Sequence, residues 1–449
     1  MSRSPAFALA RFAGVALPLL LTAGAVAAPA GVERRLEAAV ERGVPSSVAL
    51  LRRAVEINSG TQNHDGVRAV GRLFAPEFEK LGFRTRWVDG APWDRAGHLV
   101  AERPGRPGAL RVLLIGHLDT VFEPSSPFQA WEAIGDTAVR APGVADMKGG
   151  DVVMLLALAA LREAGRLDEL DVTVVLTGDE ENAGRPYERS RAALLEAAKR
   201  ADLALGFEDG DGDWRTGEAA RRGSGGWRLG VWAKPAHSSQ VFTPDVGEGA
   251  IFTAARLLRA FRDSLAGEAY LTFNPGAIVG GTEVSWEGTA NRGSAFGKTN
   301  VVAESTFVTG DLRALSIEQR EHAKQVMRRI ADAAGPHARA TIEFTDGYPP
   351  FAPTPGNLWL LERFSEVSRD LGHGPVALAN PRDAGAADVS FTQGLTPMAL
   401  DGLGLMGTGG HTVHETADLR TLPLNATRVA VLLARLARAP RPLGPPAAR

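Results

Sequence analysis

Arg111-Val112-Leu113-Leu114-Ile115-Gly116 runs without a break into His117-Leu118-Asp119-Thr120. A run this short, apolar and branched predicts a strand buried on both faces, as parallel sheets require. Its polar exit puts His117 at the carboxyl end of the strand, where open α/β sheets hold their ligands. If the extended geometry continues, His117 and Asp119 point to the same side.

Two similar runs lie downstream. Val172 to Thr177 ends in Gly178-Asp179-Glu180-Glu181, and Leu203 to Phe207 ends in Glu208-Asp209. Helical stretches at 150–164 and 188–200 separate them, and a helix over 32–58 lines up Leu36, Val40, Val48, Leu51 and Val55 on one face. This alternation predicts an α/β fold with a mostly parallel sheet covered by helices on both sides.

After Gly223-Ser224-Gly225-Gly226 the pattern changes. A strand at 227–233, a helix at about 246–265, strands near 270–280 and 298–313, a helix opened by the Ser316/Gln319 capping pair and a strand at 339–345 give a β-α-β-β-α-β order. That is the order of a ferredoxin-like α+β module, inserted into the larger domain. The Pro- and Gly-rich segment 346–355 returns the chain to helices at 357–371 and 424–438. The resulting division is 32–221 and 348–438 for the large domain, 222–347 for the small one and a disordered tail over 439–449.

With 449 residues, 44% of them hydrophobic, the chain is long enough for these two cores. The 50 basic and 52 acidic residues nearly cancel, so it lacks the basic excess of a nucleic-acid binder. Arg3, Arg11, the apolar run Phe12 to Leu21 and Ala25-Val26-Ala27 follow the order of a secretory signal peptide over 1–28, which predicts a periplasmic or secreted protein. The other long apolar run, Val152 to Leu161, is far short of the roughly 20 residues that cross a bilayer, so no membrane partner is expected after signal removal. With no cysteine, any metal must be held by His, Asp and Glu.

Taken singly, each motif has an ordinary explanation. His117-x-Asp119 resembles many surface pairs, and Asp146 in Ala141-Pro142-Gly143-Val144-Ala145-Asp146-Met147-Lys148-Gly149-Gly150 could cap the helix that follows. Together they place carboxylates after three strands, beside a histidine. Like charges are gathered this way at low cost only where something positive neutralises them.

These segments, with the late Gly409-Gly410-His411-Thr412-Val413-His414-Glu415, resemble in order and spacing the co-catalytic zinc exopeptidases related to bacterial glutamate carboxypeptidase, aminoacylase and succinyl-diaminopimelate desuccinylase. The resemblance spans about 35–438 and implies a zinc-exopeptidase catalytic domain with an inserted lid or dimerisation domain. It implies two Zn²⁺ per subunit, with Co²⁺ or Mn²⁺ as alternatives: His117 and Glu208 on one ion, Glu181 and His411 on the other, and Asp146 bridging. Asp209 and His414 are the alternatives to Glu208 and His411. The resemblance further implies Asp119 orienting His117, Glu180 as general base, and His237 of Lys234-Pro235-Ala236-His237 reaching a neighbouring subunit's active site in a homodimer. Asn300 and Arg313 would bind substrate, Arg313 gripping a free carboxylate. The segment Gly385 to Ser390 resembles a glycine-rich pocket wall, in which Asp388 has no assigned role. The remaining histidines, His64, His98, His322, His337 and His373, read as surface residues.

The expected activity is hydrolysis of a peptide or amide bond beside a free carboxylate in a small peptide or N-acyl amino acid. Glutamate-carboxypeptidase-like release of a C-terminal amino acid comes first. N-acyl amino-acid deacylation is the alternative, and a silent binding protein for peptides or amino acids is the alternative of another class.

Overall fold

The computed structural model describes residues 31–287 and 292–445; the expected signal segment 1–28 lies outside the described residues. Its larger sheet has six strands in the order Arg84–Asp89, Gly97–Arg103, Leu170–Thr177, Leu110–His117, Leu203–Gly206 and Ala399–Leu400. The last four run parallel, and the first two are antiparallel additions at one edge. Leu110–His117 lies between two parallel neighbours, with Ile115 paired to Val175 on one side and Gly206 on the other. The registers bring the ends of all three strands, and so His117, Glu180 and Glu208, to one rim.

Helices cover both faces. Gly31–Val55, Lys148–Glu163 and Thr421–Leu436 pack into the principal core with Val112, Leu114, Val174 and Leu205. Ala192–Arg200 packs with Leu113, Ile115 and Val175 on the opposite face. The alternation of side chains along each strand explains why neighbouring residues of one strand enter different cores.

The smaller sheet is wholly antiparallel, in the order Thr272–Gly281, Ser305–Arg313, Gly225–Ala233 and Ala338–Asp346. Helices Gly249–Leu265 and Ile317–Asp332 bury Leu257, Phe261, Ala323 and Met327 against it, forming a separate core. This is the expected ferredoxin-like topology, with strands two, three, one and four side by side. Ser316 caps the second helix by accepting from the Gln319 backbone N–H at 3.1 Å, while Gln319 Oε1 accepts from Leu315 N at 2.9 Å.

Several elements differ from the sequence reading. Helix His64–Lys80 and the two antiparallel edge strands were not anticipated, nor was the hairpin formed by Glu283–Glu287 and Arg292–Phe296. His98, read as a surface residue, is buried in strand Gly97–Arg103. Its Nε2 lies 2.5 Å from Ser190 O, and its Nδ1 accepts from Gly178 N. Of the expected tail, residues 439–445 are described: Arg441 lies 3.2 Å from Asp202 and Leu443 packs on the main core.

Candidate metal centre and substrate cleft

Helix Lys148–Glu163 begins after Met147 with no side-chain cap, so Asp146 is free of the capping role that its position would suggest. It instead stands between two histidines. Its Oδ1 is 3.1 Å from His117 Nε2, and its Oδ2 is 3.1 Å from His411 Nε2. Glu208 Oε1 lies 3.7 Å from His117 Nε2, and Glu181 Oε2 lies 3.0 Å from His411 Nε2. Two trios result, His117/Asp146/Glu208 and Asp146/Glu181/His411, each with ligand atoms within 4.8 Å of one another. They share Asp146, one oxygen to each side.

The alternatives left open by sequence separate geometrically. Glu208, not Asp209, belongs to the first trio. His411, not the exposed His414, belongs to the second. His411 has φ of 62°, in the left-handed region that non-glycine residues occupy at a cost of roughly 1–3 kcal/mol. That backbone turn follows Gly409 and directs the ring toward two carboxylates.

The charge balance shows what such a donor set suits. Burial raises Glu181 to about 7, helped by the Asp146 charge and opposed by His411 and His117. Burial likewise holds Glu208 well above the usual carboxylate range. His411 is pushed up to about 11 by its hydrogen bonds to Asp146 and Glu181. Burial disfavours a charged His117, yet Glu208, Asp119 and Asp146 outweigh it and hold its proton well above the ordinary imidazole value. Acceptor oxygens and ring nitrogens thus face one another at 3.0 to 3.7 Å, where imidazole and carboxylate would ligate a divalent cation. The residues fit a pair of metal ions that share Asp146.

The surrounding bonds orient these groups. Asp119 is fully buried, accepts from the Thr61 hydroxyl at 2.6 Å, and accepts from Glu180 N and Glu181 N at 3.0 and 3.1 Å. The Asp119 carboxylate is 3.5 Å from His117 Nδ1 and its backbone carbonyl 3.1 Å, so one residue steadies both the histidine and the acidic loop. Glu415 accepts from Gly143, Ala145 and Asp146 backbone N–H groups at 2.9 to 3.1 Å, fixing the Asp146 loop from a segment 269 residues away. Asp401 accepts from Glu208 N at 3.3 Å and from Arg221 Nε at 2.8 Å. Sequence reasoning did not single out Thr61, Glu415 or Arg221 for these tasks. Glu415 had a signal, its fixed spacing from His411; the other two had none.

A cleft of about 500 Å³ opens beside the cluster, lined in part by Glu180, Glu181, His411, Arg313, Tyr348 and Gly385. Arg313 therefore faces the same space as the acids. Its Nε donates to Asp311 Oδ2 at 3.0 Å, which holds the guanidinium in the cleft wall. Burial and the Asp388, Glu181 and Asp146 charges raise Glu180 well above the ordinary carboxylate range, with His117 opposing them. Asp388 does not cap the helical turn that it opens: it accepts from Thr177 Oγ1 and Arg191 Nε.

His237 and Asn300 lie elsewhere. Both are exposed on the small domain, where Ser238 N donates to Asn300 O at 2.9 Å and His237 Nδ1 lies 2.8 Å from Ser239 Oγ. The two loops are thus side by side, but neither residue lines the cleft of its own chain.

The sequence pattern of peptidase family M20/M25/M40 matches residues 113–435. The chain belongs to that family. Among curated proteins it is 26% identical over 381 residues to carboxypeptidase G2 of Pseudomonas sp. (strain RS-16), covering 84% of this chain and 86% of that one. It is also 25% identical over 296 residues to succinyl-diaminopimelate desuccinylase of Delftia acidovorans, covering 64% and 73% respectively. Among solved structures, aminopeptidase PepT from Bacillus cereus superposes with a TM-score of 0.67 at 20% identity, over 88% of this chain and 99% of that one. Membership in M20/M25/M40 makes the protein a metallopeptidase or amidohydrolase of mixed α/β fold, with the expected inserted small domain.

Proposed function

We propose that the protein is an exported two-metal hydrolase that cleaves a peptide or amide bond next to a free carboxylate, releasing a C-terminal amino acid in the manner of a carboxypeptidase. The observation that carries this is the shared Asp146 between two His/carboxylate trios, with Glu180 and Arg313 facing the same cleft. Similarity to carboxypeptidase G2 over most of both chains supports the choice of bond.

In this reading His117, Asp146 and Glu208 hold one Zn²⁺, and Asp146, Glu181 and His411 hold the other; Co²⁺ and Mn²⁺ suit the same ligands. Lewis-acid polarisation of the scissile carbonyl and a lowered pKa for the attacking water are what two such ions supply when bound. Arg313 grips the substrate carboxylate. Glu180 takes a proton from the attacking water and passes it to the departing amine nitrogen, a transfer that its place in the cleft wall beside Glu181 allows. Asp119 keeps His117 and the Glu180 loop in register. His237 and Asn300, remote from their own cleft, act in the cleft of a second copy, consistent with the exposed Phe242, Ile251, Phe252 and Ile278 on the same domain.

The desuccinylase relative favours a second reading, deacylation of an N-acyl amino acid, which uses the same residues. Purified protein assayed against dipeptides and N-acyl amino acids, with and without chelator, separates the readings. Metal-dependent release of a C-terminal amino acid is expected, faster acyl release would move the assignment to the deacylase, and no turnover with any metal would leave a binding protein. Glu180→Ala is expected to retain metal and lose about 100-fold or more in kcat. Loss of metal instead would make Glu180 a ligand.

A further inference from the structure

The acidic loop that carries Glu180 rests on a buried network reaching the junction between the two domains. Arg191 is fully buried. Its Nη1 donates to Asp179 Oδ1 at 2.6 Å, its Nε to Asp388 Oδ1 at 2.7 Å, and its Nη2 to Asp179 O at 3.1 Å and the Tyr348 hydroxyl at 2.6 Å. Because that hydroxyl accepts from a permanent cation, its own proton is directed elsewhere. It donates to Glu180 O at 2.9 Å. With Asp119 accepting from Glu180 N on the other side, both backbone polar groups of Glu180 are held.

Tyr348 belongs to the return segment between the small domain and helix Pro355–Asp370. That segment is zipped to the outgoing one: Ser224 N donates to Tyr348 O at 3.0 Å, Tyr348 N to Ser224 Oγ at 3.0 Å, and Gly347 N to Ser224 O at 2.9 Å. The two interdomain connections therefore meet at the residue that touches Glu180. The Tyr348 ring packs edge-on against Tyr187 and Phe391, with centroids 5.6 and 5.0 Å away, so its place does not depend on the hydroxyl alone.

We propose that Tyr348 is a positioning residue for Glu180, its hydroxyl oriented by Arg191, and that through it the junction of the two domains fixes where the base stands in the cleft. The proposal rests on the reading of Glu180 as the base. A tyrosine that only filled space would need neither the guanidinium behind its oxygen nor the carbonyl in front of it. A buried hydroxyl with both partners costs little to keep in place, whereas an unpaired Glu180 carbonyl would shift toward water or another donor.

Tyr348→Phe removes the donor and keeps the ring packing. The expected result, in metal-loaded protein, is a kcat lower by about 10- to 100-fold, the range that small misplacement of a catalytic group produces, with KM changed less than about threefold. Metal content and melting temperature should stay near those of the parent. Combining it with Glu180→Ala tests the route: if Tyr348 acts through Glu180, the double variant turns over no more slowly than Glu180→Ala alone. An unchanged kcat in Tyr348→Phe, an equal further loss in the double variant, or loss of metal in Tyr348→Phe would each overturn the proposal. Should Glu180→Ala itself keep full activity, the assignment of the base has failed instead, and the single-variant data show which idea fell.

Discussion

Replacing Arg313 tests which end of the substrate the cleft recognises. Asp311 occupies the Nε of the guanidinium, and no acceptor among the described residues engages the two terminal nitrogens, which form the face that a carboxylate meets in a two-point contact. A charge-assisted pair of this kind contributes roughly 1.5–3 kcal/mol, or about 10- to 150-fold in kcat/KM. The side chain is 36% exposed, so solvent screening favours the lower half of that range. Arg313→Met is therefore expected to lower kcat/KM by about 10- to 50-fold for a substrate ending in a free carboxylate. Arg313→Lys, which keeps the charge and loses the fork, should cost about 3- to 10-fold. The informative assay pairs two substrates that differ only at the C-terminus, carboxylate against carboxamide. The parent should prefer the acid, and the preference should collapse in Arg313→Met because the acid loses rate and the amide does not. If both substrates slowed equally, or the ratio stayed at the parent value, the carboxylate would be gripped elsewhere and Arg313 would be a wall residue.

Glu415→Gln replaces one of the oxygens that accept from Gly143, Ala145 and Asp146 with a donor; titration of metal-free protein should show metal affinity weakened about 10- to 100-fold, and unchanged affinity would make Glu415 purely structural. His237→Ala is expected to lower turnover while metal content stays intact, and undiminished turnover would remove this residue from the mechanism. Burial lowers the His98 pKa, against the opposing Asp179 charge, so the unfolded chain takes up this proton first and stability falls as pH drops below about 6.5. Unfolding by denaturant at pH 7.5 and 5.5 should show a smaller loss in His98→Gln than in the parent, and equal losses would refute a neutral buried His98. Chelation should lower the melting temperature, since a cation bound only by the folded chain stabilises it by about 4 kcal/mol at 1,000 times its Kd; an unchanged melting curve would argue against a bound metal.

What was legible in the sequence was local. A buried strand followed by acids announces itself within ten residues, and the three strand exits at His117, Glu180 and Glu208 do converge on one rim. Helix His64–Lys80 and the two antiparallel strands beside it carry a weaker signal, since strand Arg84–Asp89 at the sheet edge has no fully buried residue. The shared role of Asp146 came from resemblance, because its contacts are 29 and 265 residues away and no spacing encodes them. Buried charge was the least legible feature. Arg191 stands in Arg189-Ser190-Arg191 beside a helix start, a composition that reads as solvent-facing, and the sequence around Asp388 assigns it no role. Each is tolerable in the interior only because the other is there, with Asp179 and Tyr348 completing the set from two further segments. His98 fails for the same reason: its burial depends on Ser190 O and Gly178 N meeting both ring nitrogens. A charged or polar residue in a sequence carries its desolvation cost openly, whereas its compensation lies in distant segments. The network that supports Glu180 therefore becomes visible only when the chain is folded.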